Sequence, residues 1–259
     1  MFDNVTHVEK SQIGLLKSRN DDSFFIVDSS CTHYDLQRFG MIFVIADGLG
    51  GHAAGHVASK MACEEVVSEY YRKDATFQEN MATDVLKLRR LQQTLGVVHK
   101  KIVALASANE GLRGMGTTLS ALVLTDHDAL IAHVGDSRIY RLRNDRCERM
   151  TIDHTKRQSF IDIGQIQPEQ ESNHHYGRIV TQALGGYDDL TEIFTRVEPV
   201  QRGDVFLLCT DGLHDVLSDR EILTIMTENN RPHNACDELI EAAITKGGDD
   251  DITVVVIRV

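Results

Sequence analysis

The chain has 259 residues, of which 42% are hydrophobic, so it can bury a substantial core within one large domain. A formal net charge of -12, with no basic stripe, argues against a protein that binds nucleic acid. The longest apolar runs, such as 41–46 and 252–257, are too short to cross a membrane, and residues 1–10 do not resemble a signal sequence. We therefore expect a cytoplasmic protein without a membrane partner.

The five cysteines lie far apart in the chain, and their number is odd. Disulfide frameworks and zinc sites use paired cysteine spacings, and none occurs here. The cysteines are expected to be reduced thiols.

Residues 1–259 are expected to form a single domain. Only three prolines occur, and neither a low-complexity tract nor an internal repeat marks a linker. Residues 41–46 form a short apolar run that ends at Asp47-Gly48, which is typical of a buried strand followed by a turn. Apolar residues at helical spacing then predict two helices, over 53–72 and 81–109.

From Thr118 onwards, short apolar runs separated by polar turns predict an antiparallel meander, followed by two strands near the C-terminus. The predicted strands are 119–124, 129–134, 138–143, 205–209 and 252–257. Helical patterns occupy 219–228 and 233–246. Strands and helices that come in blocks, joined by hairpins, favour an α+β fold in which helices cover antiparallel sheets, rather than a doubly wound parallel sheet.

Aspartates lie at the ends of several predicted strands, usually beside a glycine. They are Asp22, Asp47, Asp136, Asp211 and the run 249–251. One Asp-Gly pair alone is common turn chemistry. If the sheets bring these ends together, the carboxylates cannot all stay ionised without a cation, because like charges raise one another's pKa. Hard oxygen ligands favour magnesium or manganese over zinc.

Such a site is suited to the hydrolysis of a phosphate ester. Two divalent ions roughly 3.5–4 Å apart acidify a bridging water and neutralise the phosphoryl oxygens. The sequence has no recognisable motif for a serine, cysteine or histidine nucleophile. We therefore expect water, rather than a side chain, to attack phosphorus.

A dinucleotide-binding site is a competing interpretation, since Gly48, Gly50 and Ala53 form a G-x-G-x-x-A pattern between a predicted strand and a predicted helix. That pattern is weak by itself. Asp47 would face the pyrophosphate, and the acidic residues about 20 positions further on lie within a helical pattern rather than after a second strand. No Gly-Lys-Ser/Thr follows the glycines, which excludes a P-loop.

Eight short motifs occur in order between about Gly14 and the C-terminus. They are Asn20-Asp21-Asp22-Ser23, Asp47-Gly48-Leu49-Gly50-Gly51-His52, Gly116-Thr117-Thr118, Val134-Gly135-Asp136-Ser137-Arg138, Asp153-His154-Thr155, Thr181-Gln182-Ala183-Leu184-Gly185, Thr210-Asp211-Gly212-Leu213 and Asp250-Asp251-Ile252-Thr253-Val254. Together they resemble the metal-dependent protein phosphatases of type 2C, in their bacterial branch. The resemblance implies a four-layer α/β/β/α sandwich, in which antiparallel helices flank two antiparallel sheets and the metals lie at one end.

The resemblance also implies a serine/threonine protein phosphatase in which a water or hydroxide between two Mn²⁺ or Mg²⁺ ions attacks the phosphate. Asp47 would bridge the two ions, the carbonyl of Gly48 would bind one of them, and Asp211 and Asp250 would complete the inner carboxylates. Catalysis would depend on these three aspartates and on Asp22.

Further ligands are implied around that pair of ions. Asp22, with Asp21 where the family usually has glutamate, would hold metal-bound waters. Asp136 would share a weaker third ion with Asp211. Residues from about 156 to 179 match the flap beside the cleft, which contributes to substrate choice in the family.

The chain departs from the family pattern at three positions. Lys17 stands where an arginine usually contacts the substrate phosphate, and Arg19 is close enough to replace it. Asp251 replaces the usual asparagine after the last ligand and adds negative charge. Leu49 stands where the eukaryotic branch has a proposed general-acid histidine, so His52 is a candidate acid and a metal-bound water is the preferred one.

The implied partners are phosphoprotein substrates and a serine/threonine kinase that acts on the same proteins, with the phosphatase itself a monomer. The alternative is a regulatory domain of the same fold that binds phosphoproteins but has lost its catalytic activity. The aspartates that the motifs retain argue against that alternative, whereas Lys17 leaves it open.

Overall fold

The structure is a computed structural model, and it describes residues 5–49, 53–73, 83–166, 179–186 and 189–259. Within these ranges the strands form two antiparallel sheets that pack face to face. Helices cover the outer face of each sheet. None of the described helices is both long and apolar enough to cross a bilayer.

The first sheet contains both ends of the described chain. In spatial order its strands are β1 (Thr6–Gln12), β12 (Ile252–Arg258), β11 (Val205–Cys209), β7 (Arg138–Arg143) and β8 (Arg146–Arg149). Strand β12 is buried along almost its whole length because it lies between two neighbours and beneath helices. An uninterrupted run of β-branched residues is suited to that position.

The second sheet is formed mainly by the first half of the chain. Its strands are β10 (Phe194–Pro199), β6 (Asp128–Val134), β5 (Leu119–Leu124), β3 (Met41–Leu49), β4 (Gly116–Thr117) and β9 (Leu184–Gly185), with β2 (Asp22–Val27) paired to β3. Side chains along β3 alternate: Ile42 and Val44 pack under helices, whereas Phe43 and Ile45 face the other sheet. This double burial explains why β3 is the most continuous apolar run in this half.

The helices are α1 (Leu36–Phe39), α2 (Ala53–Tyr70), α3 (Asp84–Ala108), α4 (Lys156–Asp162), α5 (Asp211–His214), α6 (Asp219–Glu228) and α7 (Pro232–Thr245), with a 3₁₀ turn at Glu110–Leu112. Helices α2 and α3 pack on the second sheet. Helices α6 and α7 pack on the first. The layers therefore run helix, sheet, sheet, helix, which confirms the predicted α+β four-layer sandwich.

Most predicted elements are present with small changes at their ends. Helix α2 ends at Tyr70 rather than at 72, and α3 begins at Asp84 because Thr83 caps it by accepting a hydrogen bond from the amide of Leu86. The predicted helix over 233–246 begins one residue earlier, at Pro232.

The sequence patterns did not predict the edge strands β1, β8 and β10. Each is partly exposed and carries polar residues on much of its length, so hydrophobic alternation is weak. The dinucleotide-binding interpretation is wrong, since the strand before the glycines lies in an antiparallel sheet.

Candidate metal and phosphate site

Three aspartates of the first sheet lie at the same end of neighbouring strands. Asp211 follows β11, Asp250 precedes β12 and Asp136 precedes β7. Strand β11 is antiparallel to both β7 and β12, so its C-terminal end lies beside their N-terminal ends. The three residues therefore meet although they are far apart in the chain.

The second sheet contributes a facing pair of carboxylates. Asp22 in β2 lies directly opposite Asp47 in β3, and both side chains are almost fully buried. The Gly116-Thr117-Thr118 motif holds Asp47 in place through its backbone. Thr118 Oγ1 accepts a hydrogen bond from the Asp47 amide at 2.9 Å, and Thr117 Oγ1 donates one to the Asp47 carbonyl at 2.7 Å.

A threonine joins the two halves of the site. Thr210 Oγ1, at the end of β11, donates a hydrogen bond to Asp22 Oδ2 at 2.8 Å. The same oxygen accepts a hydrogen bond from the amide of Thr253 in β12 at 2.9 Å. Asp22 of the second sheet is thereby connected to two strands of the first.

The carboxylates act on one another electrostatically. Burial raises the pKa of Asp47 well above its ordinary value, and neighbouring carboxylates, first of all Asp211, raise it further. The neighbours that contribute are Asp211, Asp22, Asp136 and Asp250. Burial and then Asp211 also raise the pKa of Asp136. Burial raises the pKa of Asp22 to about 8, although hydrogen bonds from hydroxyl groups partly offset the effect.

Asp21 and Gly48 lie beside this cluster. The Gly48 amide donates a hydrogen bond to the Asp21 carbonyl at 3.1 Å. A Cβ atom at Gly48 would come within 2.3 Å of the Gly55 carbonyl oxygen in α2, so only glycine fits. Burial raises the pKa of Asp21.

Asp251 holds the connection between β1 and β2 against this site. Its side chain is 1% exposed, and its Oδ1 accepts a hydrogen bond from the Gly14 amide at 2.9 Å. Its Oδ2 accepts another from the Asp21 amide at 2.8 Å. The additional negative charge predicted for this position is therefore compensated by two backbone donors and by Lys17 Nζ at 3.3 Å.

Lys17 contacts two acidic residues of the site. The Lys17 ammonium group forms an ion pair with Asp250 as well as with Asp251. Burial works against its charge, but the hydrogen bond and the charge of Asp250 outweigh burial and raise the pKa of Lys17. The side chain of Arg19 is exposed.

Two interactions behind Asp136 had no predicted role. Arg138 and Asp153 form a buried, two-point ion pair with distances of 3.0 and 2.6 Å. His214 Nε2 donates a hydrogen bond to the Asp136 carbonyl at 3.0 Å. The motifs contained Arg138 and Asp153 without indicating that they pair, and no sequence pattern identified His214.

The oxygen atoms of this site are suitable ligands for hard divalent cations. Within the described ranges, no group donates a hydrogen bond to the buried oxygens Asp21 Oδ1 and Asp22 Oδ1, so both keep lone pairs available to a cation or to a water bound to it. Carboxylate oxygens are ligands that magnesium and manganese prefer. No three acidic, histidine or cysteine side chains of the described residues converge closely enough to hold an ion as they stand. An ion would therefore have to draw the mutually repelling carboxylates together.

Parts of the predicted surroundings lie outside the described residues. His52, the candidate acid, is among them, as are residues 167–178 of the predicted flap. The described part of the flap begins with α4, and the Lys156 amide donates a hydrogen bond to the Ile179 carbonyl at 2.9 Å. Both ends of the flap segment are thereby held together.

Comparisons with known proteins identify the family of this chain. A family model described as Protein phosphatase 2C matches residues 17–242. The serine/threonine phosphatase stp of Listeria innocua is 36% identical over 253 residues, which cover 97% of this chain and 95% of that protein.

Solved structures are similar over almost the whole chain. The serine/threonine phosphatase PstP/Ppp of Mycobacterium tuberculosis has a TM-score of 0.83 at 30% identity, covering 98% of both chains. The catalytic domain of PstP in complex with two manganese ions has a TM-score of 0.79 at 30% identity, covering 98% of this chain and 97% of that one. This chain belongs to the protein phosphatase 2C family.

Proposed function

We propose that this chain is a serine/threonine protein phosphatase that requires two divalent cations, Mn²⁺ or Mg²⁺. The observation that carries the proposal is the meeting of five aspartates from two sheets at one end of the sandwich, where burial and mutual repulsion raise the pKa of three of them. A cation would relieve that repulsion. The manganese-bound structure of PstP, whose fold this chain shares, supports the same assignment.

The inner residues of the site would bind the metal ions. Asp47, Asp211 and Asp250 would hold the ions with the carbonyl of Gly48. Bound ions would acidify a water for attack on phosphorus and would neutralise the phosphoryl oxygens.

An outer group of acids would complete the site. Asp22 and Asp21 would orient water through their unbonded oxygens. Asp136 would share a third, weaker ion with Asp211.

Lys17 is our candidate for the phosphate contact. Its ammonium group already lies at the site, paired with Asp250 and Asp251, so a short movement would bring it to an incoming phosphate. Arg19 is the second candidate because its exposed guanidinium group lies close to Asp21 in the chain.

We also propose the substrates, the partner kinase, the oligomeric state and the location of the enzyme. Its substrates would be phosphoproteins, shared with a serine/threonine kinase, and the chain would act as a monomeric catalytic domain with the flap at 156–179. The five cysteines, all free in the structure, support a cytoplasmic location. The retained site aspartates argue against a regulatory domain without catalytic activity.

The test combines metal removal with one substitution. Phosphate release from a phosphothreonine peptide should stop in chelator and return with excess manganese or magnesium. Asp47→Asn should abolish turnover and weaken manganese binding measured by calorimetry, because the amide removes one negative charge from the groups that would hold the ions. Full activity of metal-stripped protein would contradict the two-metal proposal, and unchanged manganese affinity of the variant would contradict the role of Asp47.

A further inference from the structure

The loop that carries Lys17 exposes two leucines beside the proposed phosphate site. The Lys17 amide donates a hydrogen bond to the Gly14 carbonyl at 3.1 Å, which closes a turn with Leu15 and Leu16 at its tip. Leu15 is 62% exposed and Leu16 is 80% exposed, the highest value among the large hydrophobic side chains of the described residues. Turn tips favour glycine, proline, asparagine, aspartate and serine, so turn chemistry does not explain two leucines.

The turn packs closely against the proposed metal ligands. A Cβ atom at Gly14 would lie 2.3 Å from the Asp249 carbonyl oxygen and 2.6 Å from the carbonyl carbon of Asp250, so the backbones touch. The Gly14 amide binds Asp251 at one end of the turn, and Lys17 pairs with Asp250 at the other. The two leucines therefore have a defined position relative to the site.

We propose that Leu15 and Leu16 bind an apolar side chain of the substrate protein that lies within two residues of the phosphorylated serine or threonine. Consecutive Cα atoms are about 3.8 Å apart, so a phosphate held near Lys17 would place the neighbouring residues of the substrate within reach of the turn. Ile13, the residue before the turn, is 36% exposed, so three exposed large apolar side chains lie within four consecutive residues. Grouped exposed apolar side chains are typical of a binding surface. This inference rests on the proposed function and specifies its substrate class.

The test measures a ratio within each enzyme. Phosphothreonine peptides would carry either leucine or serine at one of four positions, the two before and the two after the phosphothreonine. The wild type should favour the leucine peptide in kcat/KM by about tenfold at one or more of these positions. In the double variant Leu15→Ser/Leu16→Ser the ratio should fall to near one. Because both peptides are compared on one enzyme, a change in the folded fraction cancels.

Val85→Ser provides a matched control. Val85 is 69% exposed. The adjacent Asp84 accepts a hydrogen bond from Thr125, which follows β5. Thr118 lies before the opposite end of β5, beside the site, so the length of the strand places Val85 about 20 Å from the site. This variant should keep the wild-type ratio.

Two results would overturn the inference while leaving the proposed function intact: a ratio of one at all four positions in the wild type, or an unchanged ratio in the double variant. Failure to hydrolyse any phosphopeptide with manganese present would contradict the proposed function itself.

Discussion

Asp251 accepts hydrogen bonds through both carboxylate oxygens, and an asparagine could accept through only one. Asp251→Asn would place an amide group against the backbone N–H of Gly14 or Asp21. We expect the free energy of unfolding to fall by about 1–3 kcal/mol, the cost of an unmatched buried donor. Urea unfolding in chelator would measure it. Stability equal to that of the wild type would show that Asp251 does not hold the loop.

Lys17 and Arg19 compete for the role of phosphate contact. Lysine is a flexible point charge, whereas arginine offers a planar fork for two phosphate oxygens. Lys17→Arg should therefore keep or improve kcat/KM for a phosphopeptide, and Lys17→Ala should lose about 1.5–3 kcal/mol of transition-state stabilisation.

Arg19→Ala is the control for Lys17. If Arg19→Ala is damaging and Lys17→Ala is silent, the two side chains exchange roles. If neither changes KM, the metals alone must bind the phosphate.

Asp136 has two alternative roles: it binds the third ion, or it caps the turn before β7. Burial and then Asp211 raise its pKa, so its negative charge destabilises the metal-free fold. Asp136→Ala should lose turnover while the melting temperature in chelator stays the same or rises. A lower melting temperature with normal activity would instead indicate that Asp136 caps the turn before β7.

Helix α5 is short, and its position depends on close contact with the beginning of β12. A Cβ atom at Gly212 would lie 2.1 Å from the Asp251 carbonyl oxygen, a backbone atom that cannot move aside easily. Gly212→Ala should therefore displace α5 and, with it, Asp211. We expect weaker manganese binding in calorimetry and a lower melting temperature.

Gly96 is the matched control for Gly212, because it lies within α3 and an added Cβ would meet nothing within 4 Å. Gly96→Ala should raise stability by about 0.5–1 kcal/mol, since alanine loses less conformational entropy in a helix. Equal effects of the two substitutions would contradict the steric argument for α5.

At the scale of the whole molecule, the joining of the two sheets at Asp22 makes stability depend on pH. Burial raises the pKa of Asp22 from 3.8 to about 8. Between these pH values the folded protein binds more protons than the unfolded chain, so this contribution to stability is complete below pH 3.8 and is lost as pH rises through about 8.

Asp22→Asn isolates that contribution. In chelator, the melting temperature of the variant relative to the wild type should rise steadily from pH 4 to pH 8. Excess manganese should reduce this dependence, because bound cations favour the ionised carboxylate. A difference that does not change with pH would show that Asp22 is ionised throughout.

The sequence by itself determined the buried strands, the long helices and the aspartates that we propose for the site. The spacing of hydrophobic residues and the aspartates at strand ends are local features, so they can be identified within short stretches of sequence. The order of eight motifs indicated the family. The tertiary structure alone decided the pairing of β1 with β12, the bond from Thr210 to Asp22, and the position of Asp251 between Gly14 and Asp21. Each joins residues more than 180 positions apart, and local periodicity carries no information about such partners.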